Sequence, residues 1–240
     1  MTETPPRRGD EHFSGEVNSM FDRISGVYDR MNRVMTAGLD QTWRERAADR
    51  VRLEPGQKAL DLCCGTGDLS LSLAERTGTG GQVTGADFSR PMLELAEKKA
   101  TARGVEQVQF EWADALELPY GGGEFDAVTI AFGARNLADL DRGLNEMLRV
   151  LKPNGRLAIL EITQPGRQPL ALFFGLWFDR IVPMLGKLAG DSTAYTYLPE
   201  SVRSFPDAAT LGSRLDMAGF RHVRWTIMAG GIIALHSAVK

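Results

Sequence analysis

The sequence contains Lys58-Ala59-Leu60-Asp61-Leu62-Cys63-Cys64-Gly65-Thr66-Gly67-Asp68. Its apolar beginning predicts a buried parallel strand, and the apolar spacing over residues 69–76 predicts a helix directly after the loop. Gly65 and Gly67 have no Cβ, so the backbone can turn sharply there and a ligand can lie against it. The stretch therefore predicts a strand, a ligand-binding turn and a helix of an α/β sheet.

A second acid follows where a ribose-binding residue is expected. The apolar run 83–86 leads to Asp87, about twenty residues past the first strand, which is the spacing of nucleotide-binding fingerprints. A carboxylate at a strand tip can accept both hydroxyls of a ribose, so we expect an adenosine-containing cofactor. Ser70 stands where a dinucleotide fold has its third glycine. The acid Asp61, with Cys63 where many such proteins have glycine, instead resembles S-adenosylmethionine (SAM)-dependent methyltransferases.

The third strand end carries groups suited to the same ligand. After the strand predicted at 108–112, Asp114 can accept the adenine amino group, and the backbone N–H of Ala115 can face a ring nitrogen. The last two predicted strands are joined by residues 229–231, a loop so short that it permits only antiparallel pairing. The predicted fold is α/β, the class I SAM-dependent methyltransferase (Rossmann-like) fold, with a seven-stranded sheet and an antiparallel last strand. Its predicted strands cover 58–62, 83–86, 108–112, 125–132, 156–162, 221–228 and 232–239.

Two segments interrupt the alternation of strands and helices. Residues 13–50 are predicted to form an N-terminal helical cap, whose part 28–35 precedes the sheet and can fold over the cofactor. Residues 164–210 are predicted to be an inserted substrate cap. The polar residues 1–12 are predicted to be a disordered tail, and 13–240 a single domain.

The composition disfavours several classes of function. A net charge of −3 and a pI of about 5.7 disfavour nucleic acid as a partner, because phosphate binding needs a basic surface. The three histidines are far apart and indicate no metal site. The only two cysteines are adjacent, and the polar residues 2–11 lack the apolar stretch of a signal peptide. Both observations fit a reduced, cytoplasmic protein. The apolar run 170–178 is shorter than the roughly 20 residues that span a bilayer, which leaves contact with a membrane surface open.

Two long motifs and three short ones resemble a known family over nearly all of residues 13–240. The first long motif is Tyr28-Asp29-Arg30-Met31-Asn32, followed by Gly38 and Trp43. The second is Arg149-Val150-Leu151-Lys152-Pro153-Asn154-Gly155, followed by Glu161. The short ones are Phe132-Gly133-Ala134-Arg135-Asn136, Tyr197-Leu198-Pro199-Glu200-Ser201 and Gly231-Ile232-Ile233-Ala234-Leu235-His236. On these motifs the sequence is similar to the ubiquinone/menaquinone biosynthesis C-methyltransferase family.

The sequence departs from that family at three positions. Asp40 stands where the family usually has histidine, and Thr163 where it has serine. Ala131 replaces a serine that often lines the SAM site, which puts one side-chain hydrogen bond to the cofactor in doubt.

The resemblance implies methyl transfer from SAM to a ring carbon of a reduced, isoprenoid-tailed quinone. The favoured reaction converts 2-demethylmenaquinol to menaquinol, and the alternative methylates 2-polyprenyl-6-methoxy-1,4-benzoquinol in ubiquinone biosynthesis. The expected partner is this polyprenyl quinol. Peripheral contact with a membrane surface is left open, and so is the oligomeric state, a homodimer included. The acceptor must lose a phenolic proton to make its ring carbon nucleophilic, so the protein must orient two reactants and assist that loss.

Specific residues are expected in each role. Arg135 is expected to stabilise the phenolate by its charge, and Tyr28 or a water to receive the proton. The expected cofactor-binding residues are Gly65, Thr66, Gly67, Asp87, Phe88, Asp114, Ala115 and Ala131. The expected acceptor-binding residues are Met31, Asn32, Asn136, Tyr195 and Arg203.

Three other functions compete with this interpretation. An NAD-dependent oxidoreductase is opposed by Ser70 and by the antiparallel hairpin. A methyltransferase for another small molecule, such as a sterol or a phospholipid amine, would share the cofactor site and is opposed only by the motifs at 28–43 and 135–136. A SAM-binding subunit without catalysis would have no need of Arg135 on the acceptor side.

Overall fold

The computed structural model describes residues 13–164 and 192–240, apart from the side chains of 192–196. The predicted tail 1–12 and the apolar run 170–178 lie outside this part of the chain. Seven strands within it form one sheet in the order β3-β2-β1-β4-β5-β7-β6. The strands are β1 Lys58–Leu62, β2 Gln82–Asp87, β3 Val108–Trp112, β4 Phe125–Ala131, β5 Leu151–Ile162, β6 Arg221–Met228 and β7 Ile233–Val239.

The directions of the strands confirm the predicted fold. Strands β1 to β5 pair in parallel, and β7 runs antiparallel to both β5 and β6. The strand order reverses direction at β1 and β4, and in open sheets of this kind ligands bind beyond the carboxyl ends of the strands at such a point.

Helices cover both faces of this sheet. In the described residues they are α1 Phe13–Thr36, α2 Leu39–Arg50, α3 Asp68–Thr77, α4 Arg90–Arg103, α5 Leu140–Val150, α6 Ser192–Ser204 and α7 Ala208–Ala218. Two of these helices have capping residues of the usual type at one end. Ser89 caps α4 by accepting a hydrogen bond from Met92 N at 3.4 Å, and Gly219 (φ 102°) ends α7 in the left-handed conformation.

The fifth strand begins earlier than the sequence predicted. It starts at Leu151, directly after α5, because Leu151 already pairs with Phe125. The register then shifts, and Arg156 pairs with Ala127. The Pro-Asn-Gly turn therefore lies inside β5 as an irregularity, with Asn154 at φ 64°, instead of separating helix from strand.

The core has three parts. One apolar cluster packs α5 and α7 against one face of the sheet, and a second packs α2 and α3 against the other. The third lies apart from the sheet, where Phe13, Val17, Met20 and Ile24 on α1 pack with Tyr197 on α6. The two predicted caps therefore contact one another.

Candidate active site

A cleft of about 880 Å³ opens at the carboxyl ends of the first four strands. It brings together seven of the residues that the sequence assigned to the cofactor or the acceptor, and α1 forms one of its walls. The predicted residues in its lining are Gly65, Asp87, Phe88, Asp114, Ala115, Ala131 and Asn136. The predicted catalytic Tyr28 lines it as well.

Asp87 is held in place by two backbone donors. Its Oδ2 accepts from Gly65 N and its Oδ1 from Ser89 N, each at 2.8 Å. Burial raises the pKa of this carboxyl, while the backbone hydrogen bonds oppose the rise. Because each carboxylate oxygen can accept more than one hydrogen bond, both remain able to accept from the two hydroxyls of a ribose.

The end of β3 provides an aromatic and acidic rim. Asp114 Oδ1 accepts from Leu116 N at 2.8 Å, which fixes the turn that carries Ala115. The ring centroids of Phe88 and Trp112 lie 5.0 Å apart, and Trp112 Nε1 donates to Phe88 O at 2.9 Å. A planar purine fits such a rim, because it can stack on an aromatic face while its edge meets a carboxylate.

The three residues of the glycine loop, Gly65 to Gly67, have different surroundings. Gly65 (φ 55°) faces the cleft. Gly67 (φ 81°) begins α3, and a Cβ at that position would come within 2.8 Å of the Phe110 ring. Thr66 donates from Oγ1 to Asp29 Oδ1 at 2.6 Å. Thr66 and Gly67 as cofactor contacts therefore stay predictions.

The loops after β1 and β4 are conformationally unusual. Cys63 and Phe132 follow directly after these two neighbouring strands, and both have a positive φ, 50° and 61°. A left-handed conformation is unfavourable for residues with a side chain and is found preferentially at functional sites. Here it turns the chain at the point where the cleft begins, and both residues line the cleft.

Helix α1 covers the cleft as a lid. Its residues Val17, Phe21 and Tyr28 line the cleft. Ser89 Oγ donates to Asp22 Oδ1 at 2.5 Å, which ties the lid to the loop that carries Asp87.

A second polar contact lies farther along the lid. Lys99 Nζ on α4 donates to Asp29 Oδ2 at 2.9 Å, to Thr66 Oγ1 at 3.0 Å and to Asp68 Oδ1 at 2.5 Å. Lys99 was not singled out in the sequence, and Asp29 was noted only as part of a motif, because nothing in the spacing of a helical lysine identifies its partner.

Arg135 lies in a buried ion pair next to the cleft. Its Nη1 donates to Glu161 Oε1 at 2.7 Å and to Phe132 O at 2.6 Å. Burial disfavours the charged guanidinium, but the attraction of Glu161 prevails and raises the pKa of Arg135 above its ordinary value. Arg135 is not among the described residues that line the cleft, so its contact with an acceptor stays a prediction.

The next residue, Asn136, does line the cleft. Its Oδ1 accepts from the hydroxyl of Tyr197 at 3.1 Å, which connects the loop after β4 to the cap helix α6. Tyr197 is buried, so this hydrogen bond is shielded from water.

Four predicted acceptor residues lie elsewhere. Met31 packs against the apolar cluster between the caps, and Asn32 accepts from Thr36 Oγ1 through its backbone oxygen at 2.8 Å. Arg203 is exposed on α6, and the side chain of Tyr195 lies outside the described residues. None of the described cleft residues is one of these four, and their roles stay predictions.

The three departures from the family pattern have different surroundings. Asp40 is buried and accepts from Thr36 Oγ1 at 2.9 Å. Thr163 is buried, and its Oγ1 has no hydrogen-bond partner in residues 13–164 or 192–240. Ala131 lines the cleft without a hydroxyl to offer a ligand.

Asp61 lies beneath the glycine loop and is 1% exposed. Its carboxylate accepts from Ser70 Oγ and from Thr129 Oγ1, each at 2.7 Å. Burial raises its pKa to about 6, although both hydrogen bonds oppose the rise. The acid of the motif therefore orders the strand ends around the loop.

Residues 13–164 and 192–240 contain neither a membrane-spanning helix nor a metal-binding cluster. None of the helices there is long and apolar enough to cross a membrane. No three side chains of His, Cys, Asp or Glu in this part of the chain are grouped so that they could hold a metal ion.

Comparison with known proteins gives a consistent result. Residues 9–240 match the model of the ubiE/COQ5 methyltransferase family. A demethylmenaquinone methyltransferase of Thermus thermophilus is 47% identical over 90% of this chain and 98% of its own length. The ubiquinone/menaquinone biosynthesis C-methyltransferase UbiE of Idiomarina loihiensis is 40% identical over 93% of this chain and 90% of its own length.

A solved structure resembles the fold. The crystal structure of a SAM-dependent methyltransferase from Aquifex aeolicus superimposes with a TM-score of 0.61 at 22% identity. The superposition covers 82% of this chain and 88% of that one. At this identity the likeness concerns the fold alone.

Proposed function

The chain belongs to the ubiE/COQ5 methyltransferase family and is a SAM-dependent methyltransferase, and we propose that it methylates the ring of 2-demethylmenaquinol to give menaquinol. The observation that carries the choice of acceptor is the 47% identity to a relative named for that reaction, over almost the whole of both chains. The benzoquinol of ubiquinone biosynthesis is the second candidate, because the Idiomarina relative is named for both pathways.

The chemistry of the cleft suits both ligands. Asp87 and Asp114 offer carboxylates for the hydroxyls and the amino group of adenosine, next to the aromatic ring of Phe88. The cleft is also lined by apolar side chains, which suit a quinol ring with an isoprenoid tail. They include Val17, Phe21, Phe132 and Leu137.

The bound SAM would supply an electrophilic methyl group on a sulfonium. The acceptor must give up its phenolic proton, so that its ring carbon becomes nucleophilic and attacks the methyl group. The ring hydrogen then leaves as a proton and aromaticity is restored as a phenolate. This oxygen takes up a proton again, so the reaction gives menaquinol and releases one proton in total. In this proposal the positive charge of Arg135 favours the phenolate, and Asn136 orients the acceptor from the cleft wall. Tyr28, which lines the cleft, or a water beside it receives the proton.

The ion pair with Glu161 explains how a buried arginine could serve this role. A guanidinium held by a carboxylate stays protonated and fixed in position, so its field at the cleft does not depend on side-chain reorganisation. A lid that excludes water would strengthen that field, because charges interact more strongly in a medium of low polarity.

We also propose that the end of the lid contacts the membrane in which such an acceptor resides. Val34 and Leu39 at the α1–α2 turn are 59% and 50% exposed, next to the exposed Arg30 and Arg33. Apolar and basic side chains together suit an anionic bilayer surface. Replacing Val34 and Leu39 by glutamate should reduce cosedimentation with phosphatidylglycerol vesicles without changing SAM affinity.

A methylation assay tests the acceptor. Methyl-labelled SAM is offered with demethylmenaquinol and with the benzoquinol, each in reduced and oxidised form, and the products are identified by mass. We expect label in menaquinol and none in the oxidised quinones, which have no phenolic proton to lose. Methylation of the benzoquinol alone would reverse the choice of acceptor. If neither quinol is methylated by a protein that binds SAM, a different acceptor is required.

A further inference from the structure

Arg44 is a buried cation to which the proposed reaction assigns no role. It lies on α2 and is 8% exposed. Its guanidinium carbon lies 5.0 Å from the centroid of the Phe132 ring, and its Nη1 lies 3.6 Å from Asp40 Oδ2, which is too far for a hydrogen bond. In residues 13–164 and 192–240 this Nη1 has no hydrogen-bond partner. A buried donor without an acceptor is unfavourable, so the site favours a ligand that brings one.

Arg44 lines a second, smaller cavity next to the glycine loop. This cavity adjoins the main cleft, because four residues line both of them. The shared residues are Tyr28, Cys63, Gly65 and Ala131. A ligand seated in the main cleft against Gly65 can therefore extend into the space next to Arg44.

The charges around the smaller cavity are of both signs. Asp61 and Asp68 line it together with Arg44. Asp68 is already paired with Lys99 at 2.5 Å and with Gln41 at 2.9 Å, and Asp61 accepts from two hydroxyl groups. The guanidinium Nη1 has Asp40 as an ion-pair partner at 3.6 Å, but it is the group among the described residues of this cavity that still lacks a hydrogen-bond acceptor. A zwitterion with its carboxylate at Arg44 and its ammonium near the acids fits this arrangement.

We propose that Arg44 binds the α-carboxylate of the methionine moiety of SAM in the smaller cavity, with the ammonium on the side of Asp61. The inference rests on SAM as the methyl donor and does not depend on which acceptor is methylated. Adenosine occupies the main cleft, and the amino acid end of the same molecule passes Gly65 to reach Arg44.

A structural role for Arg44 is the competing explanation. Its positive charge opposes the rise in the pKa of Asp61 and contributes to the lowered pKa of Asp68. Removal of Arg44 could therefore disturb the loop without any loss of ligand contact. The test must therefore separate loss of a carboxylate contact from general damage to the site.

Titration calorimetry on the full chain, with the affinity measured for three ligands, distinguishes loss of the carboxylate contact from general damage to the site. The ligands are SAM, decarboxylated SAM, which keeps the amine and lacks only the carboxylate, and methylthioadenosine, which lacks the whole amino acid end. We expect the wild type to bind SAM roughly 10- to 100-fold more tightly than decarboxylated SAM, the effect of one charged hydrogen-bonded contact. Arg44→Met should lose this preference while it binds the other two ligands as before. Arg46→Met is the matched control, since Arg46 is an exposed arginine on the same helix.

Two results would overturn the proposal. One is a wild type that binds SAM and decarboxylated SAM equally, a result that needs no variant. The other is an Arg44→Met protein that loses affinity for all three ligands by the same factor, which is the structural role. If Arg44→Met does not fold, Arg44→Lys replaces it and should retain part of the preference for SAM. If the wild type prefers SAM over decarboxylated SAM but methylates neither quinol, the proposed acceptor is wrong and the proposed role of Arg44 still holds.

Discussion

Lys99 Nζ on α4 donates a 2.9 Å hydrogen bond to Asp29 Oδ2 on α1, and thereby joins the lid to the body of the domain. The same ammonium also contacts Thr66 and Asp68 at the start of α3. Of the elements that meet at this lysine, α1 lines the cleft with Val17, Phe21 and Tyr28. Opening of the lid must break this contact, so the contact should control how readily the site exchanges its ligand.

Asp29→Asn is expected to loosen the lid. It removes the charge from a partly buried pair, so hydrogen exchange along residues 13–36 should accelerate by about 5- to 30-fold, corresponding to roughly 1–2 kcal/mol. The dissociation of SAM should become faster as well. Asp49→Asn provides the control, because Asp49 forms an exposed pair with Arg76 outside the lid. Equal exchange in wild type and Asp29→Asn would show that the contact does not hold the lid.

Ligand binding should protect the caps. Hydrogen exchange in residues 13–43 and 192–205 is expected to slow when SAM and a quinol analogue are both present, because closure excludes water. Protection that is the same with and without the ligands would mean that these segments form a static packing layer.

Asp87→Ala should weaken SAM binding by about 10- to 100-fold, since roughly 1.5–3 kcal/mol of charged hydrogen bonding to the ribose is lost. The substitution also leaves Gly65 N and Ser89 N without their acceptor. Asp87→Asn keeps one acceptor oxygen and should bind with intermediate affinity. Titration calorimetry measures both variants. An affinity for SAM that is unchanged in Asp87→Ala would remove Asp87 from the cofactor site.

Arg135→Ala is expected to lower turnover about 100-fold or more while SAM affinity is kept, because a charge aimed at a developing oxyanion is lost. It also leaves Glu161, which is 1% exposed, without its partner, and breaking a buried pair costs about 3–5 kcal/mol of folding stability.

The combination of Arg135→Met with Glu161→Gln separates the two effects. It removes both charges, so the free energy of unfolding should recover relative to Arg135→Ala, whereas turnover should stay low. Recovery of turnover in this double variant would assign Arg135 a purely structural role.

Asp61 should make stability depend on pH. Its pKa is about 6 in the folded protein against an ordinary value of 3.8, so folding favours the protonated form. Stability from this group is present below pH 3.8 and is lost as the pH rises to 6. Asp61→Asn should therefore unfold with a free energy higher than that of the wild type by on the order of 3 kcal/mol above pH 6, and the difference should shrink toward pH 4.

Urea unfolding of both proteins between pH 4 and 8 measures this difference. Burial lowers the pKa of His236, so both proteins lose stability as the pH falls below the ordinary histidine value of 6.5, and this loss cancels in the comparison. A difference that does not change with pH would contradict the raised pKa of Asp61.

Much of the fold and half of the site could be predicted because the carboxyl ends of parallel strands meet at one edge of a sheet. That rule brings Gly65, Asp87, Asp114 and Ala131 together from four separate stretches of sequence. Arg44 follows no such rule. Its spacing from Asp40 suggests an ordinary helical ion pair, and its burial beside the cavity arises only when α2 packs on the sheet.

The predicted start of β5 was wrong, because a helix and a strand follow one another there without a loop between them. Leu151 continues the apolar face of α5 in the sequence, yet in the structure it begins β5, because its backbone pairs with Phe125. Arg135 was singled out in the sequence, but its partner was not, because Glu161 lies at the end of the next strand and was noted only as part of a motif.

The cluster of Phe13, Val17, Met20 and Ile24 with Tyr197 has a consequence for biosynthesis. The first helix leaves the ribosome early, whereas the helix that completes its apolar pocket is made only after the first five strands. Until then these side chains lack the ring of Tyr197, and a contact between such distant parts of a chain forms late. The roof of the cofactor site is thus completed only after these five strands have been made, and a nascent chain that stalls before Tyr197 presents an incompletely covered amphipathic helix to chaperones and to aggregation.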